Sequence, residues 1–544
     1  MLRTELLRPL HELLRAQSEK FGPKTAFRDG RRTLDYAGLD ARTARLAGHL
    51  AALDVRPGDR AVLLLGNRVE TIETYYAFAR AGAVGVPVNP RSSDAELTYL
   101  LQDSGARVVV ADPAQAVRLG RVASAVGPLT VLVVADVPGV PGVPGVPGIP
   151  AEPLPFDVYD YEELARSEPA RPAYDGLGLD DIAWMLYTSG TTGRPKGVLS
   201  TTRNCLWSVA ASYVPVLDLG SADRVLWPLP LFHSLSHIAC VLAVTSVGAT
   251  ATIVDGLSAG DILDLWAEED FTVMAGVPTL YHHLVREAEA RGFGAPAGLR
   301  VGLVGGAITT AELRNTVEAR FGAPLVDAYG STETCGSITI NWPTGARVEG
   351  SCGLPVLGLA VRLVDHRTGR EAGPGREGEV WVRGPNVMAG YHNQPEATAE
   401  ALKDGWYHTG DLARRDEAGY FTVTGRIREL IIRAGENIHP LEVEAVLRTV
   451  PGVEDVAVAG RPSEVLGEVP VAYVVPGAGF DPARALAVCR EQLTYFKVPE
   501  ELYEIAEIPK TASGKVARRR LPELPARLRA RGIEGERELR RVVW

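Results

Sequence analysis

The chain is poor in lysine: only seven of its 57 basic residues are Lys, and the rest are Arg. Where any cation suffices the sequence uses Arg, so each Lys marks a position where shape and reach matter. Lys196, Lys510 and Lys515 stand out, because all three fall in Gly-, Ser- or Thr-containing strings. Cysteine is scarce as well. The five are odd in number and scattered, with no pair at metal-ligand spacing. That excludes a disulfide scaffold and a zinc module, and it fits a reduced, cytoplasmic protein. There is no excess of positive charge. A net charge of −10 excludes a dedicated nucleic-acid binder, which needs a basic footprint. Long hydrophobic runs are missing too. The longest uncharged apolar stretch, Ile238–Val254, is short for a membrane span and is interrupted by Thr, Ser and Gly. It predicts a buried helix followed by a buried strand, and no integral membrane association. The first residues, MLRTELLRPLHELLRAQ, have no continuous apolar core and so do not read as a secretory signal.

What is present is ordinary globular sequence. Apolar residues make up 46% and charged residues 23% of 544, too many residues for one core, so several domains or subdomains are expected. The first third alternates helical and strand patterns, as in ETIETYYAFARAGAVGVPVN, which predicts a parallel sheet covered by helices. Val137–Pro150, VPGVPGVPGVPGIP, cannot sustain a helix or a central strand and is expected to be a surface loop. Beyond Gly353 the strings VRLVD, GEVWVRG and GYFTVTG predict short strands in a small barrel-like or antiparallel subdomain. After Gly425 the pattern changes to a small α+β domain, with helices near Leu441–Val450 and Pro482–Leu493. The terminal Arg527–Trp544 mixes Arg with Glu and is expected to be a solvated helix.

From Tyr187 to Val198 the chain reads YTSGTTGRPKGV, directly after an apolar strand, IAWML. Thr188, Ser189, Thr191 and Thr192 surround Gly190 and Gly193, and Lys196 follows. Glycines let backbone N–H groups approach an oxyanion, hydroxyls donate further hydrogen bonds, and the Lys adds a point charge. This is the chemistry of a phosphate loop. It is not a Walker A loop, because Pro195 stands where that motif needs Gly before its Lys. A helix should follow, capped by Thr201 or Thr202, with Leu206, Val209, Ala210 and Tyr213 on one face.

Further strings come in order: LPLFHSLSH (Leu229–His237), VGGAI (Val304–Ile308), DAYGSTET (Asp327–Thr334), GWYHTGDL (Gly405–Leu412), GRIRELI (Gly425–Ile431), IRAGENIHPLEVE (Ile432–Glu444) and IPKTASGKVARRRL (Ile508–Leu521). As an ordered set, from about Thr33 to Leu521, they resemble the adenylate-forming superfamily of acyl-CoA synthetases, aryl-CoA ligases, luciferases and peptide-synthetase adenylation domains. The resemblance implies an α/β multi-subdomain fold. A large N-terminal domain, residues 1–425, would hold two helix-covered sheets and a small β-barrel, and a small mobile C-terminal α+β domain, residues 426–544, would follow.

It also implies roles. Gly306, Ala307 and Tyr329 would surround adenine, with Tyr329 stacking on the base and Gly330 and Ser331 continuing the nucleotide segment. Thr332 would bond the α-phosphate, and Glu333 would hold Mg²⁺, a hard cation that takes oxygen ligands. Asp411 and Arg426 would bind the ribose hydroxyls. Arg428 stands at the hinge, where relatives carry Asp or Lys, and His408 replaces their usual Arg. Gly435 and Glu436 would border a thiol tunnel, and Lys515 would reach the ATP α-phosphate and the substrate carboxylate. Amino-acid-activating relatives place Asp after the aromatic residue of the second string. Here that position is His233, which cannot offset an ammonium, so α-amino acids are disfavoured. By resemblance His233, Ser236, Val277, Thr279, Tyr281, Gly302 and Cys335 lie near the acyl group. Most of them are small or apolar, which suits a fatty, aryl or bulky alicyclic acid.

The implied activity is a carboxylic acid–CoA ligase using ATP, Mg²⁺ and coenzyme A, with Lys515, Thr332, Glu333 and His233 as its catalytic set. The small domain would swing about Arg428 between adenylation and thiolation. Three alternatives stand beside it. Relatives that load a carrier protein carry an insertion near the domain boundary, and none is visible between Glu333 and Gly425. A luciferase-like oxygenase shares every motif. A non-catalytic nucleotide-binding homologue would be expected to have lost Lys515 or Glu333, and both are present. The motifs do not fix an oligomeric state.

Overall fold

The structure is a computed structural model describing residues 1–134, 154–188, 194–434, 436–463, 465–511 and 515–531. The Val137–Pro150 repeat, residues 189–193, Gly435 and the chain from 532 onward lie outside the described residues. The chain packs as two compact units: Met1–Val361 with Val382–Tyr407, and Arg362–Trp381 with His408–Trp544.

The first unit contains two helix-covered sheets: the alternating pattern predicts a parallel sheet under helices, and the family resemblance implies two. One has eight strands, with Val84–Pro87, Arg60–Leu64, Val108–Ala111 and Thr130–Val133 parallel at its centre. The other has nine, with Thr250–Ile253, Arg224–Trp227, Val273–Gly276, Val301–Gly305 and Leu325–Ser331 parallel. Several of these strands, such as Arg60–Leu64, Val108–Ala111 and Val301–Gly305, are short apolar runs, as expected for strands buried on both faces. Parallel neighbours need crossover connections, and helices such as Val69–Arg80, Ala259–Glu268 and Pro278–Arg291 supply them.

The side-chain alternation divides the core. Leu63 and Val110 of one sheet meet Val225, Ala275 and Leu303 of the other in a single cluster, together with Tyr75, Leu206 and Val241 from intervening helices. On the outer face of the eight-stranded sheet, Val62 and Val109 pack on Leu97 and Leu119. On the outer face of the nine-stranded sheet, Met274 and Val304 pack on Trp266 and Phe321.

Thr201 caps the helix after the phosphate loop: its Oγ1 accepts from the Asn204 N–H at 3.1 Å, and Asn204 Oδ1 accepts from the Thr201 N–H at 2.9 Å. That helix is α over Thr202–Ser208, widens to π over Val209–Tyr213 and returns to α over Val214–Leu217. The apolar Ile238–Val254 stretch forms a buried helix and a strand, as expected. Its helix carries a second π stretch, His237–Leu242, before Ala243–Val247 and the strand Thr250–Ile253. No helix among the described residues is long and apolar enough to cross a membrane.

In the second unit the short strands near Gly353–Gly425 form a four-stranded sheet, ordered Ala360–Val364, Glu377–Arg383, Tyr407–Arg415 and Phe421–Arg426. The remainder is α+β. Helices Pro440–Arg448 and Pro482–Gln492 pack through Val443, Leu447, Leu486 and Cys489 on a six-stranded sheet. One expectation is corrected here: Arg527–Arg531 is a strand, antiparallel to Glu501–Glu504, and not a solvated helix. Its alternation explains why. Ala530 packs on the domain core while Arg527, Arg529 and Arg531 stay exposed.

Candidate functional site

The strand Ile182–Thr188 leads out to the phosphate loop, and Lys196–Thr201 returns antiparallel to it, pairing Thr188 with Lys196. Lys196 is therefore fixed where the paired strands reach the loop. Ser189, Gly190, Thr191 and Thr192 lie outside the described residues. Two contacts anchor the hairpin: Tyr187 Oη donates to Asp103 Oδ2 at 2.7 Å, and Tyr99 Oη donates to the Pro195 carbonyl at 2.9 Å.

Lys196 Nζ sits 4.8 Å from the centre of the Tyr391 ring, and Tyr391 Oη donates to Glu333 Oε1 at 3.1 Å. Three residues separated widely in sequence thus share one place. Backbone pairing holds them there: Gly390–Tyr391 runs antiparallel to Val198–Leu199, and the Met388 N–H donates to the Glu333 carbonyl at 2.8 Å. Glu333 lies in the short turn Thr332–Thr334, closed by Thr334 Oγ1, which accepts from the Ser331 N–H at 3.0 Å and donates to the Gly336 carbonyl at 2.9 Å. Sequence reasoning did not find Tyr391. Its signal is a Gly-Tyr pair just ahead of an Asn-Gln-Pro turn, which is weak on its own.

Tyr329, Gly330 and Ser331 end the strand Leu325–Ser331. Gly330 is required there: a Cβ would stand 1.9 Å from the Gly336 carbonyl oxygen on the neighbouring strand. Asp327, two residues before Tyr329, is buried, and burial pushes its pKa up to about 7 against a partial pull from Arg314. Gly306 and Ala307 follow the strand Val301–Gly305 and are exposed, with Gly306 at φ 84° beside Val277 Cγ1.

His233 caps the helix that begins at Ser234 and lies against Phe232, 4.4 Å between ring centres. A Cβ on Gly305 would lie 3.7 Å from Leu235, so this helix start faces the end of the strand Val301–Gly305. Ser236 is buried and its Oγ accepts from Trp227 Nε1 at 3.0 Å. Cys335 is buried, with Sγ donating to Ser200 Oγ at 3.2 Å. Thr279 is exposed on the helix Pro278–Arg291.

Two acyl-pocket expectations are corrected. Tyr281 is fully buried in the outer core of the nine-stranded sheet, and its hydroxyl donates to the Met274 and Leu303 carbonyls at 3.1 and 3.2 Å. Gly302 faces the same side, since a Cβ there would stand 3.0 Å from Tyr281 Oη. Strand side chains alternate between faces, so the neighbours Ala275 and Leu303 point into the core shared by the two sheets, and Gly302 and Tyr281 do not.

In the second unit Asp411 and Arg426 oppose each other across an antiparallel pair, with Oδ1 to Nε at 2.7 Å. The Asp411 N–H donates to Thr409 Oγ1 and the Gly410 N–H to Glu379 Oε1, both at 3.0 Å. His408 stacks on Trp381 at 3.9 Å. Arg428 lies in the short turn Ile427–Glu429, where the four-stranded sheet ends. Glu436 is exposed at the start of an edge strand, opposite Arg433, and Gly435 lies outside the described residues. Lys515 is exposed: its N–H donates to Thr511 Oγ1 at 3.2 Å and its carbonyl accepts from the Thr511 N–H at 2.7 Å. The other lysine of this string, Lys510, pairs with Asp455 at 3.3 Å.

Among the described residues no cluster of three or more His, Cys, Asp or Glu could enclose a metal ion. Glu333 offers a carboxylate that Tyr391 joins to the neighbourhood of Lys196. That suits a cation such as Mg²⁺, which takes one or two carboxylates, ligand phosphates and waters.

Comparison with known proteins identifies the family. Residues 14–392 match the AMP-binding enzyme family, and residues 442–515 match the AMP-binding enzyme C-terminal domain. Feruloyl-CoA synthase of an Amycolatopsis species is 38% identical over 495 residues, covering 90% of this chain and 94% of that protein. Naringenin synthase of Pestalotiopsis fici is 37% identical over 510 residues, 91% of this chain, and the chain spans only 18% of that much longer protein. The crystal structure of ATP-bound MatB from Rhodopseudomonas palustris superposes with a TM-score of 0.83 at 31% identity, covering 94% of this chain and 98% of that one.

Proposed function

The chain belongs to the AMP-binding enzyme family, and from that premise we propose that it is an ATP-dependent carboxylic acid–CoA ligase acting on a hydrophobic, aryl-type acid. The observation that carries the reading is the convergence of Lys196, Tyr391 and Glu333, next to Thr332, where the strands flanking the 189–193 segment pair. A cation, a carboxylate and a hydroxyl within one small region suit a triphosphate and its counter-ion. Support for CoA as the acceptor comes from relatives named as CoA synthases and ligases that cover nearly the whole chain.

In the proposed reaction a carboxylate oxygen of the acid attacks the ATP α-phosphorus and pyrophosphate leaves, giving an acyl-adenylate. The CoA thiol then attacks the acyl carbon and AMP leaves. The first step asks the protein mainly for positioning and charge stabilisation. Lys196 and the loop hydroxyls at 188–192 would hold the leaving phosphates, and Thr332 the α-phosphate. Tyr329, Gly306 and Ala307 would hold adenine, and Asp411 and Arg426 the ribose. Mg²⁺ held by Glu333 would neutralise phosphate charge. His233, at the helix start facing Gly305, would border the reacting carboxyl. Lys515 would stabilise the charge of adenylation, while Gly435 and Glu436 would serve the thiol step, with the division between domains at 425 and the pivot at Arg428. The five cysteines are all free thiols, which supports a cytoplasmic location.

The test separates the half-reactions. Lys515→Ala should lower acid-dependent pyrophosphate release by about 10²–10³-fold, the usual cost of removing one charge-stabilising contact. Conversion of a supplied acyl-adenylate to acyl-CoA should persist. Equal loss of both half-reactions would contradict the assignment of Lys515.

A further inference from the structure

The helix Asp94–Ser104 is held firmly at both ends and along one face. A capping box of Ser93 and Glu96 starts it, and Gly105, in the left-handed region, ends it. Leu97, Leu100 and Leu101 pack into the outer core of the eight-stranded sheet with Val62, Val109 and Met185. Its last two turns carry Tyr99 and Asp103, which tie it to three chain segments of the proposed nucleotide site.

On the strand Ile182–Thr188, Tyr187 Oη donates to Asp103 Oδ2 at 2.7 Å. Ahead of the returning strand, Tyr99 Oη donates to the Pro195 carbonyl at 2.9 Å. That carbonyl belongs to the planar peptide unit whose nitrogen is that of Lys196, so the backbone at Lys196 is held as well. The Arg194 guanidinium lies 5.5 Å from the centre of the Tyr99 ring. In the third segment His392 Nε2 donates to the Asp103 carbonyl at 3.1 Å, and the His392 N–H donates to the Gly197 carbonyl at 2.7 Å. His392 follows Tyr391, whose hydroxyl reaches Glu333.

Local preference argues against an acid at position 103. Asp is a poor helix former, and in the last turn of a helix its charge opposes the helix dipole. No basic residue stands in that turn to offset it. A residue that breaks a local rule beside a site is a candidate for a role in it. Burial and the Asp103 carboxylate together raise the Tyr187 and Tyr99 phenols above their ordinary range, so both hydroxyls keep their protons and donate.

We propose that Asp103 is a positioning residue for the triphosphate of ATP. Its carboxylate holds the strand that ends at Thr188, its carbonyl holds the segment that carries Tyr391, and Tyr99, one turn earlier, holds the backbone at Lys196. The proposal rests on the nucleotide-binding reading above and adds what fixes that site. Lys196 is a point charge on a flexible stem, so its backbone and its Tyr391 neighbour must be fixed for the charge to meet a phosphate. AMP lacks the two phosphates that Lys196 and Glu333 would serve, so the clamp should matter for ATP and not for AMP.

The test is isothermal titration calorimetry of the full-length protein with MgATP and, separately, with AMP, in the absence of any acid. Asp103→Ala should weaken MgATP binding by about tenfold, the lower end of what a hydrogen bond to a charged group contributes, and leave AMP binding unchanged. Asp103→Asn keeps an oxygen that accepts from Tyr187 and should recover most of the loss. Tyr187→Phe should reproduce the Ala variant, and the double variant should bind no more weakly than either single one, because both changes remove the same contact. If Asp103→Ala does not fold, Tyr187→Phe carries the comparison. Equal weakening of MgATP and AMP, an unchanged MgATP affinity, or additive losses in the double variant overturns the proposal. A wild-type protein that binds neither nucleotide overturns the nucleotide-binding reading with it. MgATP binding without pyrophosphate release from any acid contradicts the ligase reading alone, and the comparison of MgATP with AMP still decides for Asp103.

Discussion

Tyr391→Phe isolates one hydrogen bond in the proposed site. Tyr391 Oη donates to Glu333 Oε1 at 3.1 Å while the ring lies 4.8 Å from Lys196 Nζ. Phe keeps the ring and removes the donor. Hydrogen bonds to a charged partner contribute about 1.5–3 kcal/mol, and the partial exposure of both residues puts this one near the lower bound. About 1.4 kcal/mol is a factor of ten, so a loss of roughly tenfold is expected. If Glu333 holds Mg²⁺, the loss should appear as a higher Mg²⁺ requirement in a pyrophosphate-release titration, with KM for the acid little changed. Tyr391→Leu also removes the ring beside Lys196, a contact of about 0.5–1 kcal/mol at exposed sites, and should lose about two- to fivefold more. Melting temperatures of both variants check that folding is intact. A Phe variant with the wild-type Mg²⁺ requirement, or Phe and Leu variants that behave alike, would refute the reasoning.

Gly330→Ala should destabilise the first unit by at least about 1–3 kcal/mol, because the new Cβ meets a backbone carbonyl that no rotamer change can move; urea denaturation measures it. Burial holds the Asp327 carboxyl up to about 7, above the usual carboxylate range, so the folded state binds the proton more tightly than the unfolded one. Stability contributed by the protonated form is then full below the unfolded pKa, near 4, and is lost as pH rises through about 7. Asp327→Asn should therefore flatten the fall in stability between pH 5 and pH 8, a fall on the order of 2–4 kcal/mol. Glu73 is wholly buried and forms ion pairs with Arg42 and Arg32. Glu73→Gln leaves those cations under-compensated and should cost about 3 kcal/mol in the same denaturation assay.

Much of this arrangement was legible in the sequence because local chemistry dictates it. Thr201 with Asn204 announces a capped helix start, and the apolar Ile238–Val254 stretch announces a buried helix and strand, and both occur. The ordered motifs put Lys196 and Glu333 in one expected site across more than a hundred residues, and in the fold the Tyr391 ring lies 4.8 Å from Lys196 Nζ while its hydroxyl donates to Glu333. What failed is what depends on a two-residue period. Gly302 is expected at the acyl group, but a shift of one residue along a strand moves a side chain to the other face, and the pattern RVGLVGG does not say which face is which; Tyr281, on the helix Pro278–Arg291, packs on the same outer side. Arg527–Arg531 misled for a related reason: Arg alternates with Leu and Ala at strand spacing, yet the segment's charge suggested a solvated helix. Of the two π stretches, Val209–Tyr213 stands just ahead of Pro215, which lacks the N–H an α-helix needs, and His237–Leu242 has no such residue beside it.

The most direct test of the proposed ligase activity is pyrophosphate release across a panel of fatty, aryl, alicyclic and amino acids, with and without CoA, with products identified by mass spectrometry. The expected result is release that depends on an aryl or other hydrophobic acid, and an acyl-CoA product whenever CoA is present. Release accompanied by an accumulating acyl-adenylate with CoA untouched, or no release with any acid, would contradict it.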